Sequence, residues 1–153
     1  MQPATCQIVM PSSKSERGRL AETAVAGWLE TRGYVLLARN YAVPRLGELD
    51  LVMRRDQISG PGCFSAFPDH RFYRDPYPCL AVVEVKARSD AERFGGAAAA
   101  LTPAKLRRIR LTTLHFQQTH HFMNNQIELL AALVQLSKEG CVRDIEIIPI
   151  EWQ

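Results

Sequence analysis

Charged residues interrupt two short segments whose composition is otherwise that of buried strands. Asp50 lies within the apolar segment 47–51, and Glu84 and Lys86 lie within the Val-rich segment 82–86. Because side chains alternate along a strand, Glu84 and Lys86 point to the same face. Charged residues in such strands are usually paired, bound to a metal or involved in chemistry. The pattern therefore predicts a charged site on one face of a sheet.

Pairing of the two strands would bring the carboxylates of Asp50 and Glu84 together. Two bare carboxylates about 4 Å apart repel each other by roughly 4 kcal/mol at an effective dielectric constant near 20. A divalent cation reverses the sign of that interaction, and hard oxygen ligands select Mg²⁺ or Mn²⁺. Such a cation activates water for attack on a phosphodiester. Lys86 is placed to position that water and to stabilise the charge of the transition state.

Glu22 is a further candidate for this site. It lies on or beside the apolar stripe of a predicted helix, where it could supply another oxygen ligand through water or hold a second metal. The alternative interpretation is an ion pair of Glu84 and Lys86 at a strand end, with Asp50 facing solvent, and such pairs contribute only about 0–1 kcal/mol. The joint occurrence of all four charges favours the site.

The predicted elements place these charges in a mixed α/β domain. Capping residues, apolar periodicity and turn residues predict two helices near Ser15–Arg32 and 102–119, a third helix over 125–139, and strands over 34–39, 47–54, 80–86 and 142–150. Residues 40–46 are predicted to form a turn, and Pro149 indicates an edge strand. The order of elements predicts a central mixed sheet flanked by helices.

Length and composition predict one domain. The 153 residues suit a single core, with residues 1–13 as a flexible tail, 14–153 as the domain and about 56–79 as an insertion rich in Pro, Gly and aromatic residues. No segment approaches the roughly 18 apolar residues of a membrane span, and the N-terminal segment lacks the features of a signal peptide. The cytoplasm is therefore the expected location. The net charge of +3 is compatible with nucleic acid as a partner but does not require it.

A basic cluster opens the predicted helix at 102–119. Its members are Lys105, Arg107, Arg108 and Arg110. The cluster could bind the phosphates of a nucleic acid, and a solvated helix face would have the same composition.

The ordered combination of motifs resembles a known family, the YraN-type uncharacterised bacterial proteins. The similarity covers about residues 17–110 and rests on Gly18, Glu22, Leu29, Gly33-Tyr34, Arg39-Asn40-Tyr41, 47–51, 83–86, Arg88, Phe94-Gly95 and Lys105. That family is regarded as a branch of the PD-(D/E)XK, restriction-endonuclease-like nucleases, related to archaeal Holliday junction resolvases. The resemblance implies a restriction-endonuclease-like core and hydrolysis of phosphodiester bonds by a metal-activated water.

The resemblance also implies roles for individual residues. Asp50 matches the first acidic residue of the nuclease motif, and Glu84 and Lys86 match its (D/E)-x-K element. The carbonyl of Val85 would be a further metal ligand, and Glu22 matches the helix carboxylate of the resolvase-like branch. Arg88 matches a companion residue that we expect to contact nucleic acid. DNA is expected more than RNA, branched DNA is a candidate substrate, and cutting a junction would require a homodimer.

Three features depart from the family pattern. Residues 56–79 replace a short turn, the predicted helix at 125–139 is extra sequence before the last strand, and the usual Arg-Phe-Asp near that strand is only Arg143-Asp144. Two other classes of function stay open. One is a catalytically silent module that binds nucleic acid through its basic helix, and the other is a protein-interaction scaffold that uses the aromatic 56–79 segment.

Overall fold

The computed structural model describes residues 13–56, 78–89 and 101–151. In these ranges the chain forms two helices and five strands: α1 (Lys14–Glu30), β1 (Tyr34–Val43), β2 (Gly47–Arg55), β3 (Cys79–Ser89), α2 (Pro103–Thr119), β4 (Gln126–Leu136) and β5 (Val142–Ile150). The predicted tail, apart from Ser13, and most of the predicted insertion lie outside the described residues. Neither described helix is long and apolar enough to cross a membrane.

The strands form one mixed sheet in the order β1-β2-β3-β4-β5. β1, β2 and β3 are antiparallel neighbours, β3 and β4 are parallel, and β4 and β5 are antiparallel. Parallel strands require a crossover connection, and α2 lies within the segment that joins β3 to β4. β5 is an edge strand, as Pro149 predicts. The mixed α/β architecture with a restriction-endonuclease-like arrangement is the one expected from the sequence.

Among the described residues the core consists of two apolar clusters, one on each face of the sheet. The first joins the buried face of α1, including Val25 and Leu29, to alternate strand residues such as Val83. The second joins Ile109 and Phe116 of α2 to the intervening strand residues, such as Val82. Side chains that alternate along β3 thus enter different clusters, so Glu84 and Lys86 share the α2 side with Val82.

The N-terminal boundaries differ slightly from those predicted. Ser13, rather than Ser15, caps α1: its hydroxyl accepts from the Glu16 N–H at 3.2 Å, and the Glu16 carboxylate accepts from the Ser13 N–H at 3.0 Å. This reciprocal capping box stabilises the helix start better than a single cap. β1 also continues through Val43, so that only residues 44–46 form the predicted turn.

The third predicted helix is wrong, because residues 126–136 form strand β4. The prediction rests on Leu, Ala, Gln and Glu, all of which are good helix formers. In the sheet β4 lies between β3 and β5, and residues 129–134 are all buried. A short strand covered on both faces is a continuous apolar run, which periodicity cannot distinguish from a buried helix. Tertiary burial therefore overrides the helix propensity of this segment.

Candidate active site between β2 and β3

The antiparallel ladder between β2 and β3 stops just before the charged residues. Its register runs from Arg55↔Cys79 to Leu51↔Val83. Asp50 and Glu84 are the next residues on the two strands, so the ladder ends where they would face each other. There the Val85 N–H donates to Oδ2 of Asp50 at 2.8 Å. A side-chain carboxylate thus takes the place of a main-chain acceptor, and the strands separate around it.

The separation also leaves a main-chain oxygen on this side of β3. The N–H and C=O of one strand residue point toward the same neighbouring strand. Since the Val85 N–H points toward Asp50, the Val85 carbonyl is directed to the β2 side as well. The gap between the strands therefore presents oxygen atoms of Asp50 and Val85 beside Glu84.

Glu84 is the most deeply buried charge of the site, with 4% of its surface exposed. Two ammonium groups contact the same carboxylate oxygen, Oε1: Lys86 Nζ at 2.8 Å, and Lys105 Nζ from α2. A buried carboxylate needs such partners, because desolvation without compensation is costly. The basic residue at 105 is therefore part of the carboxylate cluster as well as of the basic helix.

The position of Lys105 follows from how α2 begins and where it packs. Thr102 caps the helix by accepting from the Lys105 N–H at 3.2 Å, and Pro103 occupies the first turn. Further along the helix, Thr112 and Arg108 pass close to Gly47. A Cβ atom on Gly47 would lie 3.1 Å from Oγ1 of Thr112, and Gly47 has a φ of +153°. The glycine lets α2 approach the start of β2 and so directs Lys105 toward Glu84.

The electrostatics of the site reflect the close approach of two carboxylates and two ammonium groups. Burial and the neighbouring Glu84 carboxylate raise the pKa of Asp50 to about 6, although the Val85 N–H, Lys86 and Lys105 oppose that rise. Burial lowers the pKa of Lys86, but the hydrogen bond to Glu84 and the charges of the carboxylates outweigh it, so that this pKa lies above its ordinary value. Both shifts are those of a cluster in which carboxylates attract cations.

Asp50→Asn is expected to stabilise the protein at pH 8 and to leave its stability nearly unchanged at pH 4. The folded pKa of about 6 exceeds the unfolded value of 3.8, so the folded state binds this proton more tightly. The native carboxyl therefore loses stability as the pH rises from about 4 to about 6, by up to roughly 2–3 kcal/mol. Urea unfolding of both proteins from pH 4 to pH 8 measures the difference. The amide oxygen can still accept from Val85, so a gain independent of pH would contradict the assignment.

The donor set fits Mg²⁺ or Mn²⁺. Asp50, Glu84 and the Val85 carbonyl supply the hard oxygen atoms that these ions prefer. In the described part of the chain, no third His, Cys, Asp or Glu side chain joins them. Mg²⁺ is commonly bound by one or two carboxylates with water and substrate phosphate completing its shell, so the pair suffices.

Glu22 is held elsewhere, on the α1 side of the sheet. Its Oε2 accepts from Nδ2 of Asn40 at 3.1 Å. Asn40 lies on β1 between the register pairs Arg39↔Leu51 and Tyr41↔Leu49, which places it opposite Asp50. Its φ of +48° is a conformation that Asn tolerates better than most residues. Glu22 thus reaches the neighbourhood of Asp50 through Asn40, and its role as a metal ligand stays a prediction.

The arginines of α2 differ from Lys105 in their exposure. Arg107, Arg108 and Arg110 are exposed, whereas Lys105 is half-buried against Glu84. Arg88 lies on β3 and has the same strand parity as Glu84 and Lys86. These four arginines and Lys105 form the predicted contact set for nucleic acid, and that role stays a prediction.

An apolar groove of about 790 Å³ runs between α2 and β5. Leu111 and Leu114 line it and are 42% and 39% exposed. Arg107 and Arg110 lie on its helix side and Glu151 on its strand side. None of the candidate site carboxylates lines this groove, so it is a feature separate from the site between β2 and β3.

Two contributors to the site do not follow from the sequence patterns. The contact of Lys105 with Glu84 depends on where the connection after β3 places α2 against the sheet. The sequence of residues 90–100 has no pattern that predicts this placement. Asn40 was part of the motif Arg39-Asn40-Tyr41, but its bond to Glu22 depends on the packing of α1 against β1. In the sequence, the helix start at Thr102-Pro103 is the signal that places Lys105 in the first turn of α2.

The sequence of this chain is similar to the sequences of one protein family. Residues 21–139 match the family described as uncharacterised protein family UPF0102. A UPF0102 protein of Shewanella sp. (strain ANA-3) is 39% identical over 103 residues, which cover 67% of this chain and 74% of the relative. A UPF0102 protein of Renibacterium salmoninarum is 34% identical over 122 residues, which cover 80% and 84%. The family match spans α2 and β4 as well as the strands of the site, and the description of residues 125–139 as extra sequence stays a prediction.

Proposed function

Since this chain belongs to the uncharacterised protein family UPF0102, we propose that it is a metal-dependent endonuclease that hydrolyses phosphodiester bonds of DNA. The observation that carries the proposal is the cluster of Asp50, Glu84, Lys86 and Lys105 where β2 and β3 separate. Two carboxylates with an adjacent lysine are the groups that this chemistry needs. The resemblance of the family to PD-(D/E)XK nucleases supports the same assignment.

Each residue has a distinct part in the proposed hydrolysis. Asp50 and Glu84, with the Val85 carbonyl, would hold Mg²⁺ or Mn²⁺, which would supply Lewis-acid activation of the attacking water and the scissile phosphate. The water oxygen would bond to phosphorus as the bond to the leaving sugar oxygen breaks, with the water's proton passing to bulk solvent and a solvent proton neutralising the leaving oxygen. Lys86 is 40% exposed and directed by Glu84, so its ammonium group can donate to the water or to the charge that develops on phosphorus.

The exposed arginines of α2 support nucleic acid as the substrate. Arg107, Arg108 and Arg110 lie on the same helix as Lys105, which reaches the carboxylates. Guanidinium groups bind phosphate oxygens in a bidentate manner, and such contacts position a nucleic acid without reading its sequence. A nucleic acid that contacts Arg108 would pass close to Gly47 at the start of β2, the strand that carries Asp50. Branched DNA is the substrate class to screen first, because the resemblance extends to junction resolvases.

Mn²⁺ is expected to bind wild-type protein at one site that Asp50→Ala/Glu84→Ala removes. Isothermal titration calorimetry at pH 7.5 measures this, since Asp50 is ionised above its pKa of about 6. Asp144→Ala/Glu146→Ala is the matched control, because it removes two exposed carboxylates from β5. Equal binding by the two double variants, with both folded by circular dichroism, would refute the carboxylate site.

A binding module without turnover is the second candidate function. The exposed Arg107, Arg108 and Arg110 favour it, because phosphate contacts alone give nucleic-acid binding that weakens with salt. This function predicts salt-dependent DNA binding without cleavage in Mg²⁺ or Mn²⁺. Cleavage that disappears in Lys86→Ala while DNA binding persists would exclude it.

The groove between α2 and β5 is the feature that favours a protein-interaction scaffold. Exposed apolar surface of this kind is common at binding sites for other proteins. Leu111→Asp would then abolish capture of a partner and leave DNA cleavage unchanged, whereas the endonuclease assignment makes no such demand on Leu111.

A further inference from the structure

Lys105 contacts Glu84, one of the two carboxylates of the proposed cation site. Its Nζ atom shares Oε1 of Glu84 with Nζ of Lys86. The two lysines reach that oxygen from different elements, because Lys86 is on β3 beside Glu84 and Lys105 is on α2. The side chain of Lys105 is 35% exposed, and its ammonium group lies at the end of a flexible four-carbon stem. That group can therefore move while the helix stays packed.

The charges of the site cancel when it holds no metal. Asp50 and Glu84 are negative, and Lys86 and Lys105 are positive. A divalent cation added to this arrangement would leave two surplus positive charges in a partly buried place, which is unfavourable. Binding is easier if one ammonium group leaves Glu84 and if an anion arrives. In the proposed hydrolysis Lys86 stays beside the attacking water, so Lys105 is the group that leaves Glu84.

We propose that Lys105 is a mobile counter-ion, which balances Glu84 before metal binds and moves to a phosphate of the DNA when a divalent cation takes its place. This inference rests on the proposed function and adds a mechanism of coupling to it. Metal that binds Glu84 releases Lys105, which can then contact DNA. DNA that binds Lys105 removes the ammonium group that competes with the metal for Glu84. Metal and DNA must therefore bind cooperatively, each strengthening the other by the same factor.

Lys105→Gln is expected to bind Mn²⁺ about tenfold more tightly than wild type in the absence of DNA, because the competing charge is gone. Lys105→Arg keeps the charge and is expected to stay near the wild-type affinity. Arg107→Gln is the matched control, since it removes an exposed positive charge from the same helix. Calorimetric titration with Mn²⁺ compares the four proteins, and thermal unfolding confirms that each is folded. Equal tightening in Lys105→Gln and Arg107→Gln would reduce the effect to general electrostatics and overturn the proposal.

The second measurement repeats the Mn²⁺ titration with a saturating phosphorothioate-linked DNA junction. Wild type is expected to bind Mn²⁺ at least about fivefold more tightly with this DNA present, and Lys105→Gln less than about twofold. Coupling of equal size in both proteins would also overturn the proposal. Binding of the DNA itself is followed by fluorescence anisotropy, so that loss of DNA affinity in Lys105→Gln is seen directly.

The two proposals fail in different ways. If wild type binds Mn²⁺ through Asp50 and Glu84 but Lys105→Gln behaves as wild type, the counter-ion role is wrong and the endonuclease assignment is unaffected. If no variant binds Mn²⁺ with or without DNA, both are wrong. If only Lys105→Gln binds Mn²⁺ in the absence of DNA, the competition is demonstrated in its strongest form.

Discussion

Asp50→Asn is expected to lower the rate of Mn²⁺-dependent DNA cleavage by at least about a thousandfold, because metal catalysis of this kind contributes several kcal/mol to transition-state stabilisation. The amide carries no charge, so it binds a divalent cation poorly. It keeps the shape of the carboxyl and can still accept the Val85 N–H that bonds Oδ2 at 2.8 Å. Single-turnover cleavage of an end-labelled DNA junction at pH 7.5 measures the loss, since Asp50 is ionised there.

Asp56→Asn is the matched control for that experiment. Asp56 follows β2 directly, and its side chain is 64% exposed in an ion pair with Arg54. The same substitution there removes the same charge from an exposed position, and cleavage is expected to stay within about threefold of wild type. Asp50→Asn should also bind the DNA junction as wild type does. Cleavage by Asp50→Asn within about tenfold of wild type would show that Asp50 is not a ligand of the metal.

Local rules suffice to predict the centre of the candidate site. Strand alternation places Glu84 and Lys86 on one face, and pairing of β2 with β3 brings Asp50 alongside. Both rules act over a few residues, so the sequence contains them. The structure adds that the ladder ends at Leu51↔Val83, where the Asp50 carboxylate replaces a main-chain acceptor. The position of Lys105 depends on packing across the sheet, which no local pattern encodes.

The fold could be predicted from the sequence where capping residues and prolines mark the ends of helices and strands. Thr102 and Pro103 predict the start of α2 correctly, and Pro149 predicts the edge position of β5. The failure falls on β4, whose composition suits a helix and whose strand state is imposed by two neighbouring strands. Dimerisation and substrate shape stay predictions, because they depend on surfaces that meet only in a complex.

A partly buried ionic network contributes to holding β4 in the sheet. Glu128 of β4 accepts from Arg55 of β2 at 3.2 Å through Oε1 and from the Tyr34 hydroxyl of β1 at 3.2 Å through Oε2. The side chains of Arg55 and Glu128 are 12% and 14% exposed. Burial, and then the charge of Glu128, raise the pKa of both Tyr34 and Cys79. The network thus joins residues from four strands at the end of the sheet away from Asp50.

Glu128→Ala is expected to destabilise the protein by about 3–5 kcal/mol, because it leaves the Arg55 guanidinium buried without its carboxylate. Equilibrium urea unfolding measures the change. Glu146→Ala on β5 is the control: it removes an exposed carboxylate and should change the free energy of unfolding by less than about 0.5 kcal/mol. Tyr34→Phe, which removes one hydrogen bond to the carboxylate, should cost about 1.5–3 kcal/mol.

The double variant Arg55→Met/Glu128→Leu distinguishes the contribution of the ion pair to stability from the contribution of side-chain packing. Removing both charges also removes the desolvation that each imposes, so most of the stability lost in Glu128→Ala should return. A double variant as unstable as Glu128→Ala would mean that the packing of the two side chains, rather than their charges, stabilises the pairing of β4 in the sheet. In the helix predicted for 125–139, Glu128 would have no reason to meet Arg55, whereas the observed register of Ala81↔Glu128 and Arg55↔Cys79 brings them together. Coupling between the two substitutions therefore tests the strand assignment of β4 through a contact that only this sheet order provides.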